Sequence, residues 1–136
     1  MLKGTSIALV TIAVGLSSAG PAFAANPRAQ RTVAGVRATL SQYDTAVLAG
    51  NGRTACALLT KETRTQLAKA NHLGNCADVI EAAGAALKSD QKQAAAIRGY
   101  ASKVHITLHG DTATAPKLGE TGHTTFTYTH GLWYLS

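Results

Sequence analysis

Beyond its first 24 residues the chain has no apolar run near the roughly 20 residues that a membrane-spanning helix needs, and those first 24 do not supply one either. The residue directly after the opening segment is Ala25 and not cysteine, so the lipobox that would carry a lipid anchor is missing. There is no Gly-x-Ser-x-Gly elbow, so that route to a serine nucleophile is excluded. Aromatic residues make up 5% of the chain and are not interleaved with the cations, which argues against nucleic acid as a partner. Acidic residues number only seven, which leaves few candidates for a general base.

What the opening segment does contain is ordered. Lys3 precedes a roughly ten-residue apolar stretch, Ile7 to Leu16, and then come Ser17, Ser18, Gly20, Pro21 and Ala22-Phe23-Ala24. This charged, apolar and small-residue sequence predicts a signal peptide over 1–24, cleaved between Ala24 and Ala25. The remaining stretch, 25–136, is long enough for one domain with one core. Its place of work is then extracytoplasmic or secreted.

The leader holds one of the 13 lysines and arginines, so 12 remain against seven acids. Arg28, Arg31, Arg37, Arg53, Lys61, Arg64 and Lys69 all fall in the N-terminal half. Such a bias implies at most a weak attraction to an anionic envelope, and otherwise solvated helix faces. Cys56 and Cys76 are the only cysteines, and an even count in an oxidising compartment predicts one disulfide. A metal site built on them with His72 has three candidate ligands, where structural zinc takes four. No metal and no cofactor is expected.

Hydrophobic spacing divides the rest of the chain in two. Val33, Val36, Leu40, Tyr43 and Val47 recur at intervals of three and four, which predicts a helix over 28–49 that ends at Gly50-Asn51-Gly52. Shorter helices are expected over 52–59 and 61–70, the second capped by Thr60. Asn75 caps a further helix over 76–88, with Cys76, Val79, Ile80, Ala83 and Leu87 on one face. Residues 89–101 read as a loop with at most a turn of helix at 91–97.

After residue 101 the period changes from 3.6 to 2, the mark of strands. Segments 104–108 and 111–115 alternate around His109-Gly110, and 124–129 and 132–135 alternate around His130-Gly131. Taken as two-residue loops, these turns set Ile106 opposite Ala113, Tyr128 opposite Trp133, and Phe126 opposite Leu135. Each hairpin then has an apolar face and a threonine-rich one, as suits a sheet covered on one side by helices. The predicted class is α+β, with three to four N-terminal helices on one face of a four-stranded antiparallel sheet.

That order of elements resembles the nuclear transport factor 2-like superfamily, whose fold is a cone-shaped α+β domain. The last strand, Gly131-Leu132-Trp133-Tyr134-Leu135, carries part of the likeness. The rest lies in Ala55-Cys56-Ala57-Leu58-Leu59-Thr60, Arg64, Leu67, Cys76-Ala77 and the Gly110-Asp111 hairpin, which resemble small secreted proteins of actinobacteria with this fold. The resemblance implies a non-catalytic exported domain whose cone either takes a small apolar ligand or is filled by its own side chains. Leu40, Tyr43, Asp44, Phe126, Tyr128 and Trp133 are the candidate cavity lining.

Two other functions come with the superfamily. One is pairing with a second copy through the sheet face, at Thr125, Thr127, Thr129, Leu132 and Tyr134. The other is ketosteroid isomerase-like chemistry, in which Tyr43 would stand for the oxyanion-hole tyrosine. Asp44 is the one carboxylate beside the apolar stripe, and no second acid matches, so no catalytic residue is assigned. His105 and His123 could meet on the threonine face without forming a metal site.

Overall fold

A computed structural model of the protein describes residues 26–136; the expected signal peptide and its cleavage position lie outside them. Within this range the protein is α+β, with five helices packed against a C-terminal four-stranded antiparallel sheet. The helices are α1 (Val33–Leu48), α2 (Gly52–Ala57), α3 (Lys61–Ala70), α4 (Cys76–Ser89) and α5 (Gln91–Lys103). The strands are β1 (Thr107–His109), β2 (Thr112–Pro116), β3 (His123–Thr129) and β4 (Leu132–Leu135), paired in that order. No helix among the described residues is long and apolar enough to cross a membrane.

The first helix begins later than its hydrophobic spacing suggests. Pro27–Ala29 form a 3-10 turn capped by the Asn26 side chain, and Gln30 is extended. Thr32 then caps α1 by accepting a hydrogen bond from the Gly35 amide. Val33, at 37% exposed, lies off the stripe, whose buried members are Val36, Thr39, Leu40 and Ala46. The buried Thr39 hydroxyl donates to the Gly35 carbonyl, so its polarity is absorbed within the helix.

The helix α5 replaces the expected loop. Asp90 closes α4 and caps α5, its carboxylate accepting from the Gln93 amide. Ala94 and Ala101 are buried with Ile97 half-buried between them, a helical stripe in which alanine stands where larger side chains would make the period visible. Small side chains there allow α5 to lie close along α1. Helix α4 also approaches the end of α1 closely: a Cβ at Gly84 would stand 2.5 Å from the Gly50 Cα. The two backbones meet where both helices carry glycine or end in it.

The Cys56–Cys76 disulfide joins α2 to the first residue of α4, with Cα atoms 6.1 Å apart. The helix α2 stops at Ala57 because Leu58–Thr60 turn to the sheet. The Leu135 amide donates to the Leu58 carbonyl, the Thr60 amide donates to the Leu135 carbonyl, and Leu59 bridges Leu135 in parallel.

The second hairpin has the expected register, with Phe126 opposite Leu135, Thr127 opposite Tyr134 and Tyr128 opposite Trp133. Its turn residues, His130 at φ 51° and Gly131 at φ 77°, both take the positive φ of a type I′ loop. In the first hairpin the turn moves on by one residue. His109 pairs with Thr112, leaving Gly110-Asp111 as the loop, and Leu108 rather than Ile106 faces Ala113. The partners shift by two positions, an even number, so every side chain keeps its face. Ile106, Ala113 and Ala115 are accordingly buried, and β1 is only three residues long.

Candidate functional site

The core between helices and sheet is occupied. Phe126 and Trp133 are fully buried and Leu40 is 3% exposed, all in one cluster with Val36, Leu59, Ile80 and Leu135. Tyr43 and Tyr128 pack against that cluster, Tyr128 edge-on to Trp133 with ring centroids 5.3 Å apart. The clefts of 550, 490, 360 and 320 Å³ on the described surface are lined by none of the six residues proposed to line a cavity.

A strap from the N-terminal segment holds the aromatic side of this core. Trp133 donates its ring N–H to the Gln30 carbonyl at 2.8 Å, and the Tyr128 hydroxyl donates to the Ala29 carbonyl at 2.8 Å. Arg28, one of the cations of the basic N-terminal half, is buried. Its guanidinium donates through Nε and Nη2 to the Trp133 carbonyl and lies 4.9 Å from the Tyr134 ring centroid. Burial lowers its pKa from the usual arginine value, and Tyr134 opposes the shift. Arg31 completes the strap, its guanidinium 5.2 Å from the Tyr128 ring centroid and ion-paired with Asp111.

The carboxylate singled out in the sequence has an unusual setting. Asp44 is half-buried on α1, and its Oδ2 is covered without a hydrogen-bond partner among the described residues. Burial pushes its pKa from 3.8 up to about 7. Tyr43 and Tyr100 are each raised by burial first and by the Asp44 charge second, which puts both phenols within its electrostatic reach. The Tyr100 hydroxyl is likewise covered and unpartnered. Tyr100 lies on α5, whose residues give no clear helical signal in the sequence, so its nearness to the Asp44 charge is not legible there.

Glu62, Asp78, Glu81, Asp90, Asp111 and Glu120 are all exposed. Asp44 therefore has tyrosines around it but no second acid. His105 precedes β1 and His123 pairs with Pro116, both exposed. No group of three or more histidine, cysteine and acidic side chains able to hold a metal ion occurs among the described residues.

The polar concavity with most functional groups lies elsewhere, at the edge of β4. It is a cleft of about 550 Å³, and Thr60, Lys61, Arg64, Thr129, His130 and Tyr134 supply most of its polar lining, with Glu62 beside them. Its walls are fixed at both sides, by the Leu58–Thr60 pairing with β4 and by the tight turn at His130-Gly131. Arg64 also lines a second cleft of about 490 Å³ on the other flank of α3, with Lys69, Leu73 and Asn75. In the sequence these cations show only as part of a basic half, since a cleft assembled from α3 and a distant hairpin has no signature in spacing. Comparison of the chain with protein-family models, with curated proteins and with solved structures returned no match.

Proposed function

We propose that the protein is an exported, non-catalytic domain of the nuclear transport factor 2-like cone type, with its interior filled by its own side chains, that acts by binding at its exterior. The observation that carries this reading is the closure of the space between helices and sheet by Leu40, Phe126 and Trp133, none more than 3% exposed. A site for a small apolar ligand would need an enclosed apolar volume of about 300 Å³ or more at that place. The disulfide and the absence of a spanning helix among the described residues suit an extracytoplasmic domain. Pairing of two copies through the sheet face finds little apolar surface to use. Across that face Thr107, Thr114 and Thr125 line up in one row, His109, Thr112, Thr127 and Tyr134 in the next, and Thr129 with Leu132 in a third, so Leu132 and Tyr134 are the large apolar side chains of these rows.

One experiment tests both the filling and the closure. Native mass spectrometry of the secreted protein should give the unliganded mass, and an environment-sensitive apolar dye should show no blue-shifted emission at native pH. A retained apolar molecule, or dye uptake abolished by Leu40→Trp, would defeat the reading.

A second reading, proton transfer of the isomerase type, is favoured by the raised Asp44 carboxyl, whose charge reaches Tyr43 and Tyr100. A carboxylate with a pKa near 7 is suited to general-base work at neutral pH. It predicts that the protein moves the double bond of a β,γ-unsaturated ketosteroid into conjugation and that Asp44→Asn abolishes this. No turnover by the wild type removes it.

A further inference from the structure

Helix α3 is unlike its neighbours. None of its ten residues is buried, and it carries Lys61, Arg64 and Lys69 against the single acid Glu62. Among the described residues the ion pair is that of Arg31 with Asp111, so these three cations are not neutralised by salt bridges within the fold. They stand on a ridge between two clefts, with Arg64 lining both. Lys61 and Lys69 are eight residues apart, ~12 Å along the helix axis.

We propose that this ridge and the β4-edge cleft together bind an acidic polysaccharide, a chain of sugars bearing carboxylates. The proposal rests on the exterior-binding reading above and names its ligand. Three features of the cleft point to a sugar chain. Arg64 and Lys61 supply donors for carboxylates, and an arginine takes a carboxylate in two parallel hydrogen bonds. The half-exposed Tyr134 ring, steadied by Arg28 beside it, offers an apolar surface with a polar end, the kind of surface on which a sugar ring can lie. Thr129 and Glu62 add a hydroxyl and an acceptor for sugar hydroxyls.

The same features disfavour other anions. One tyrosine is not the series of aromatic platforms that single-stranded nucleic acid uses. A membrane surface would ask for a row of exposed apolar side chains on the ridge. Leu73, at the far cleft, is the one large exposed hydrophobic beside it.

The test is titration of the secreted protein with polygalacturonate, its fully methyl-esterified form, a single-stranded 20-mer DNA and phosphatidylglycerol vesicles. Polygalacturonate should bind, with an affinity that falls as salt rises, and the methyl ester should bind at least tenfold more weakly. Arg64→Ala should weaken polygalacturonate binding about tenfold, as expected for loss of a charge-assisted contact. Lys92→Ala, which removes the same charge from the exposed face of α5, should change it less than twofold. Tyr134→Leu should weaken binding with an unchanged salt slope, and circular dichroism and melting should show Arg64→Ala folded as wild type. Equal losses in Arg64→Ala and Lys92→Ala, or tighter binding of the DNA or the vesicles, would overturn the site. No binding of polygalacturonate by a protein that also excludes the apolar dye would overturn the ligand and leave the exterior-binding reading standing. Dye uptake would remove both.

Discussion

Replacing Asp44 by Asn should stabilise the protein at alkaline pH and leave it unchanged in acid. The carboxyl's pKa is about 7 in the folded protein against 3.8 for a solvated one, so the folded state holds this proton more tightly than the unfolded state does. Below pH 3.8 the group is neutral in both states, and its favourable contribution is complete. As the pH rises from there through about 7 the contribution is lost, because the folded protein must release a proton it prefers to keep. At ~1.4 kcal/mol per pH unit the span would amount to ~4 kcal/mol for a sealed group, and solvent screening of a half-buried one brings this to ~2 kcal/mol. Burial is the physical source, and the covered Oδ2 has no donor ready for the ionised form among the described residues. Urea unfolding followed by circular dichroism at pH 4, 5.5, 7 and 8.5 measures it. The wild type should weaken relative to Asp44→Asn across that series, by ~2 kcal/mol at the alkaline end. Parallel curves would mean that Asp44 is solvated and titrates as an ordinary carboxylate.

Three further perturbations probe the scaffold. Gly84→Ala places a Cβ against the backbone of Gly50 and should cost about 1–3 kcal/mol or more. Gly99→Ala, whose Cβ would meet nothing closer than the Lys103 Nζ at 3.8 Å, should gain about 0.5–1 kcal/mol; chemical denaturation of both variants checks the contrast. Replacing Cys56 and Cys76 together by Ala opens a cross-link of sequence separation 20 and should cost roughly 3 kcal/mol. Two reactive thiols in the denatured, unreduced wild type would contradict it. Trp133 should emit in the blue and resist iodide quenching, and Trp133→Ala should lose about 3–5 kcal/mol in a denaturant titration.

The sheet was legible because its residues obey a two-residue period with turn signals at the right places. His130-Gly131 specified its own loop, and the second hairpin followed from it. The first turn was harder, since His109, Gly110 and Asp111 are all turn residues and the stretch admits two loops with identical facing. Helix α5 escaped notice because its buried positions are alanines, which pack by allowing close approach and give almost no hydrophobic signal. Arg28 was illegible for another reason. Its burial depends on one carbonyl 105 positions away, and nothing local to Pro27-Arg28-Ala29 encodes it. Asp44 could be singled out from its place beside the α1 stripe, yet its raised pKa comes from burial that this place alone does not reveal.

The outer margin of β4 has a consequence for how copies of this chain meet. Leu135 spends its amide and carbonyl on Leu58 and Thr60, and Trp133 spends its carbonyl on Arg28. An open strand edge is a template on which another chain can lengthen the sheet, and here that margin is shut by the protein's own backbone and one buried guanidinium. At the far margin β1 offers three residues, too few for a durable ladder. Runaway strand addition, the usual hazard of an antiparallel sheet at high concentration, has no long edge to start from, even though β3 is rich in the threonine and aromatic residues that favour it.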